Sequence, residues 1–211
     1  MEIAGKTYKV FAHSYLGGGG AEALETYLNK LVKVHLLGKK QLRIANGKII
    51  YSPCHNYGFV KDVTVHNTTY EVRGAFVTPK ACEKLLKKFF FCNVCEYKNQ
   101  PRLVGDFYCF SVFTYAFRGT GIVTKDDQKV TMDMIESGTR RFCSKRENEL
   151  DFKADEYADL RCFQMNYIKA LLKFGYRVQK SKNFKLFSAN SLGGFDLNWA
   201  VGAVLISNDL I

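Results

Sequence analysis

Apolar residues recur along the 211-residue chain with two alternating periods, short extended runs and longer helical stripes. Residues 6–12 read as a strand that breaks into four glycines, Gly17 to Gly20. Leu24, Tyr27, Leu28, Leu31, Val32 and Leu36 then repeat at helical spacing over residues 21–37, with Gly38 as the stop. Residues 42–51 place two apolar runs around Asn46 and Gly47, a hairpin signal because such turns need positive φ. Residues 70–77 predict a strand, and Thr78 and Pro79 open a helix carrying Cys82, Leu85, Leu86, Phe89 and Phe90. Residues 105–117 read as one long aromatic strand. Amphipathic helices follow over 131–145 and 160–174, the second ended by Gly175, and residues 190–205 read as a loop feeding a helix of small residues.

This order predicts an α/β or α+β fold with a mixed sheet, in one unit spanning 1–211 with no repeat and no linker. A hydrophobic fraction of 47% with only three prolines excludes a disordered or fibrous chain. The formal charge of +11 invites a nucleic-acid partner, but the 31 basic residues are scattered. Lys39, Lys84, Arg140 and Lys180 lie in different segments, so a solvated surface accounts for most of them and no nucleic acid is expected. No stretch approaches the roughly 20 apolar residues of a membrane span, and no signal-peptide core follows Met1.

A strand, a glycine loop and a helix can bring backbone N–H groups to a phosphate. The four glycines fit neither a P-loop nor a dinucleotide fingerprint, and a tight strand-to-helix turn is the alternative. The seven cysteines leave at least one thiol unpaired if the others bridge. Cys92 and Cys95 lack the second pair that zinc needs, and Cys109, in an apolar run, reads as a buried thiol. Asn67-Thr68-Thr69 is a glycosylation sequon in a polar stretch, and with oxidised cysteines it points to the secretory-pathway lumen, endoplasmic reticulum or Golgi, or to secretion.

Several segments, in order, resemble the apyrase family of nucleoside di- and triphosphate diphosphohydrolases. Residues 6–19, with Lys6, Tyr8, His13, Ser14, Tyr15, Leu16, Gly17 and Gly19, are similar to its strand and loop K-x-Y-x-x-Y-T-H-S-Y-L-G-x-G. Residues 105–115, with Phe110, Ser111, Phe113 and Tyr115, are similar to G-x-F-x-A-F-S-x-F/Y-Y-Y. Residues 162–175 resemble the helix C-x-x-x-x-Y-I-x-A-L-L-x-x-G of soluble members, and Asp196, Trp199 and Gly202 resemble D/E-x-G-W-x-L-G-x, with Asn198 in place of its glycine. The glycines stand where cell-surface members carry C-Y-G-R/K-D, so the chain resembles the soluble lumenal nucleoside diphosphatases.

The resemblance implies an RNase H-like, actin-like ATPase lobe. It also implies hydrolysis of nucleoside di- or triphosphates of the UDP or GDP type, with Ca²⁺ or Mg²⁺ bridging the phosphates. It implies disulfides between Cys54 and Cys82 and between Cys143 and Cys162. The family's D-A-G-S-S and D-L-G-G-A-S phosphate loops and its general-base segment have no counterpart in these 211 residues. No catalytic residue or metal ligand is therefore expected here. The chain is expected to be the C-terminal half of an apyrase, inactive without an N-terminal lobe. By the resemblance, Tyr115 first and Phe113 second contact the base, and Trp199 and Asp196 help close the cleft; core packing is the alternative for the strand aromatics, Phe113 above all, and for Trp199. Gly17 and Gly19 approach the nucleotide, supported by His13 and Ser14. A non-catalytic nucleotide-binding or interaction domain derived from the same family is the alternative.

Overall fold

The computed structural model describes residues 2–3, 6–7, 15, 18–37, 44–45, 48–75, 79–92, 97, 100–178, 184–192 and 195–196. In chain order these form β1 (Glu2–Ile3), β2 (Lys6–Thr7), α1 (Gly20–Leu36), β3 (Ile44–Ala45), β4 (Ile49–Ser52), β5 (Val60–Val65) and β6 (Thr68–Gly74). There follow α2 (Pro79–Phe90), β7 (Gly105–Cys109), α3 (Val112–Gly119), β8 (Gln128–Val130), α4 (Met132–Cys143) and α5 (Ala158–Ala170). After a π-helical turn over Leu171–Gly175 come β9 (Phe184–Ser188), β10 (Ser191–Leu192) and β11 (Phe195–Asp196). The fold is mixed α/β, with two mixed sheets and five α-helices among the described residues.

The first sheet runs β3-β4-β6-β5, with β4 and β6 parallel and the other pairs antiparallel. β3 and β4 pair as the hairpin pattern predicts, while Asn46 and Gly47 lie outside the described residues. The sequence reading missed the longer β5–β6 hairpin. His66 and Asn67 form its two-residue turn at φ 50° and 60°, the left-handed pair that a tight hairpin requires. The second sheet runs β7-β9-β8, β7 and β9 parallel, β8 and β9 antiparallel.

Two corrections concern elements. Residues 105–117 are not one strand: β7 stops at Cys109, Ser111 turns at φ 58°, and α3 begins at Val112. The helix start is held in place because Thr114 Oγ1 donates to the Cys109 carbonyl at 3.0 Å and accepts from Ser188 Oγ at 3.1 Å. Residues 191–192 and 195–196 are not loop but pair as the antiparallel strands β10 and β11, and the predicted helix after them lies outside the described residues.

α5 is buried almost all round and feeds every apolar cluster. Phe163, Tyr167 and Ala170 pack with α1, α2 and the first sheet. Met165 and Ile168 pack with α3, α4 and the second sheet, and Ala158 and Cys162 with Phe142 and Cys143 of α4. Disulfides join Cys54 to Cys82 and Cys143 to Cys162, the pairs that the family resemblance implied. Cys92 is also disulfide-bonded, while Cys95 lies outside the described residues. Cys109 is a buried free thiol, and burial pushes it up to about 12.

Beneath the first sheet, Tyr27 Oη and His55 Nδ1 meet at Ser52 Oγ, at 2.9 and 2.7 Å. His55 stacks between Phe59 and Phe163 with ring centroids 3.9 and 5.5 Å away, and its Nε2 has no hydrogen-bond partner. Burial, aided by the charge of Lys61, lowers it from 6.5 to about 3, so the native imidazole is neutral.

Two outcomes are expected. The unfolded chain protonates His55 as pH falls through 6.5 while the native state resists until about 3, so stability falls over that window. The loss is about 2 kcal/mol at pH 5. Urea midpoints at pH 7.5 and 5 should show this share vanish in His55→Phe, and an unchanged pH slope in the variant overturns the assignment. Replacing Cys143 and Cys162 together with Ser opens a loop of sequence separation 19 and should cost about 3 kcal/mol by urea unfolding; a change under about 1 kcal/mol would count against a stabilising bridge.

Candidate functional site

Three helices begin at one cleft. Gly20 and Ala21 of α1, Ser111 and Val112 at the start of α3, and the residues around the start of α5 line a cavity of about 710 Å³. The first N–H groups of α1 and α3 carry partial positive charge toward it, whereas at α5 the Tyr157 and Ala158 N–H groups are already held by Asp155, and Lys61 and Arg161 share the lining with Glu25, Asp155 and Glu156. The approach of α1 to α3 explains one of the four glycines: a Cβ on Gly20 would lie 2.8 Å from Val112 Cγ2. The glycine loop is also tied to the central helix, because Tyr167 Oη of α5 donates to the Gly18 carbonyl at 3.1 Å.

Arg161, in the first turns of α5, forms a charged base to this cleft. Its guanidinium grips Asp155 with Nε to Oδ2 at 2.6 Å and Nη2 to Oδ1 at 2.8 Å, and Nη1 donates to Gln164 at 2.7 Å. Burial would raise the Asp155 carboxyl, but the hydrogen bonds and charge of Arg161 outweigh it and hold the group below its ordinary value. The pair is ionised, bidentate and fixed. Gly119 of α3 makes room for it, since a Cβ there would come within 2.3 Å of Asp155 Oδ2.

Tyr115 is 53% exposed and lines this cleft and an adjoining one of about 360 Å³, which adds Arg118 and Lys145. Tyr157, 52% exposed, lines the larger cleft too, with the Arg161 guanidinium 5.8 Å over its ring, so two exposed aromatic rings flank the Arg161–Asp155 pair. Phe113 differs from Tyr115. It is partly buried against both main apolar clusters and meets Phe117 edge-on at 6.2 Å.

Gly19 is the exposed N-cap of α1, next to the lining residue Gly20. Asp196 pairs with Ser191 in the β10–β11 hairpin. That hairpin is moored toward α3 through Asp126, which accepts from the Asn190 N–H at 2.9 Å and from Ser191 Oγ at 3.3 Å and pairs with Arg118 at 2.7 Å. His13, Ser14, Gly17 and Trp199 lie outside the described residues. Sequence reading missed Asp155, Tyr157 and Arg161. The one available signal was an acidic stretch just before the Cys162 helix, a pattern shared by most helix starts.

No three His, Cys, Asp or Glu side chains converge as a metal site among the described residues. Asp155, the carboxylate best placed in the cleft, is already committed to Arg161. The described residues therefore do not form a site for Ca²⁺ or Mg²⁺.

With this geometry in hand, comparison with known proteins places the chain. It is 26% identical over 235 residues to bovine ectonucleoside triphosphate diphosphohydrolase 1, covering 97% of this chain and 43% of that protein. It is 25% identical to bovine ectonucleoside triphosphate diphosphohydrolase 8, covering 100% of this chain and 45% of the relative. It is 26% identical to the nucleoside-diphosphatase mig-23 of Caenorhabditis elegans, covering 94% and 38%. The chain thus spans less than half the length of these relatives. The GDA1/CD39 (nucleoside phosphatase) family model matches residues 1–210, and the chain belongs to that family.

Proposed function

We propose that this chain forms the nucleoside-binding side of a hydrolase acting on nucleoside di- or triphosphates of the UDP or GDP type. The observation that carries the reading is Tyr115, an exposed ring at a cleft where three helix starts converge. The family is one of nucleoside phosphatases, and an aromatic face takes any base by stacking. Tyr157 is the second aromatic surface for the base, and the helix starts favour the phosphate end. Gly17, Gly19, Asp196 and Trp199 are proposed to complete the nucleotide contacts, with His13 and Ser14 in support.

Phosphoryl transfer requires an in-line water and neutralisation of the leaving oxygens. The loops and base that the family resemblance assigns to this task have no counterpart in these 211 residues, and the divalent cation has no site among those described. A second lobe is proposed to supply them, so that these 211 residues alone bind nucleotide without turnover. The same absence favours the second reading, a non-catalytic nucleotide-binding module, for the chain acting by itself. The secretory-pathway lumen or the cell exterior is the proposed compartment. Two disulfides and the exposed turn that carries Asn67 support it, and no helix among the described residues is long and apolar enough to cross a membrane.

Calorimetric titration with UDP and GDP tests this reading. Loss of a base stack costs about 1–3 kcal/mol, so Tyr115→Ala should bind about 5- to 150-fold more weakly, whereas Phe113→Ala should chiefly lower the unfolding midpoint. Unchanged nucleotide affinity in Tyr115→Ala would sink the assignment. Phosphate release from either nucleotide with Ca²⁺ or Mg²⁺ should stay at background for the chain alone, and steady turnover by pure protein would refute the division between lobes.

A further inference from the structure

α5 carries a second buried cation, outside the nucleotide cleft. The Lys169 side chain is only 7% exposed, yet its ammonium makes no hydrogen bond among the described residues. Its ionic partner, Glu83 Oε2, stands 3.8 Å away, and Glu83 Oε1 already accepts from Lys173 Nζ at 2.8 Å. Asn166, three residues earlier and fully buried, is also half used: Nδ2 donates to the Cys162 carbonyl at 3.0 Å and contacts Cys143 Sγ at 3.4 Å, while its side-chain oxygen accepts nothing.

Both residues line a cavity of about 290 Å³ between α4, α5 and the first residue of α2. Arg140 and Lys145 line it too, giving three cations against one carboxylate, Glu136. Carbonyls at and just beyond the C-terminal end of α4, which would repel an anion, accept hydrogen bonds from within the protein. Ser144 N–H donates to Arg140 at 3.2 Å, and Asn56 Nδ2 donates to Phe142 and Lys145 at 3.0 and 2.9 Å.

We propose that this cavity is a second binding site, for a small protonated oxyanion of the size and charge of inorganic phosphate. Lys169 supplies a charge from the inner wall, and Arg140 and Lys145 add charge-assisted hydrogen bonds from the rim. The oxygen of Asn166 accepts the remaining P–OH proton, a donor that sulfate at neutral pH lacks. The site lies apart from the larger cleft at the helix starts and shares only Lys145 with the smaller cavity that adjoins it at Tyr115.

Thermal unfolding of the full chain against inorganic phosphate, with chloride at matched ionic strength as reference, tests it. Phosphate should raise the midpoint saturably, as expected for a ligand of the native state, and sulfate should be the weaker ligand. Lys169→Met should weaken phosphate binding at least tenfold, Arg140→Gln several-fold, and Tyr115→Ala not at all. Amide shifts on phosphate addition should cluster at 139–145 rather than at Gly20 and Val112. Should Lys169→Met fail to fold, the exposed Arg140→Gln decides by the same readout. A phosphate effect no larger than that of chloride, sulfate binding as tightly as phosphate, full retention in Arg140→Gln, or shifts at the helix starts of the nucleotide cleft would each overturn the proposal.

Discussion

The structure depends on burying one helix on all sides. α5 places Phe163 and Tyr167 on one stripe, Met165 and Ile168 on another, and Ala158 and Cys162 on a third, each facing a different apolar cluster. A helix that packs all round belongs to the interior and cannot form as a surface amphipathic element. Its large apolar side chains contribute about 1.5–3 kcal/mol each when buried. That sum must also carry Arg161, Asn166 and Lys169, polar groups drawn inside with it. The helix tolerates Arg161 because Asp155 neutralises its guanidinium and, with Gln164, accepts three of its hydrogen bonds. An unpaired ion there would cost several kcal/mol.

The cleft at the helix starts is a consequence of that packing. The first turns of α5 bring Arg161 and Tyr157 to the cleft, its middle holds the glycine loop through Tyr167, and Cys162 bonds it to the end of α4. α1 and α3 lie against its two apolar stripes, so their starts meet where α5 begins. The glycine loop contributes less by cradling a ligand than by close approach. Gly20 lets α1 touch Val112, and Gly18 accepts from α5. These contacts set the cleft's width through backbone positions that no side chain could occupy.

Much of this was legible in the sequence. Helical spacing located α1, α2, α4 and α5 to within a few residues, because amphipathic periodicity is a direct record of which side faces a core. The β3–β4 hairpin was legible through Asn46 and Gly47. The β5–β6 hairpin was not, because its turn is His66 and Asn67, with no glycine to mark the left-handed φ. The Asp155–Arg161 pair was illegible for another reason. Its meaning comes from the burial of both groups against Gly119 of α3, a contact between elements that no local pattern encodes.

The error that bears on function is the strand assigned to residues 105–117. In a strand, Phe113 and Tyr115 share a face, so both rings would meet either the core or the ligand. In the helix that is present, two residues turn the chain by about 200°, and the rings point apart. Phe113 goes to the two clusters and Tyr115 to the cleft. Aromatic and β-branched residues at 112–115 mimic strand composition, and only the break at Ser111, imposed as the chain leaves its pairing with β9, makes the segment helical. That break is what divides one aromatic run into a core residue and a cleft-facing one.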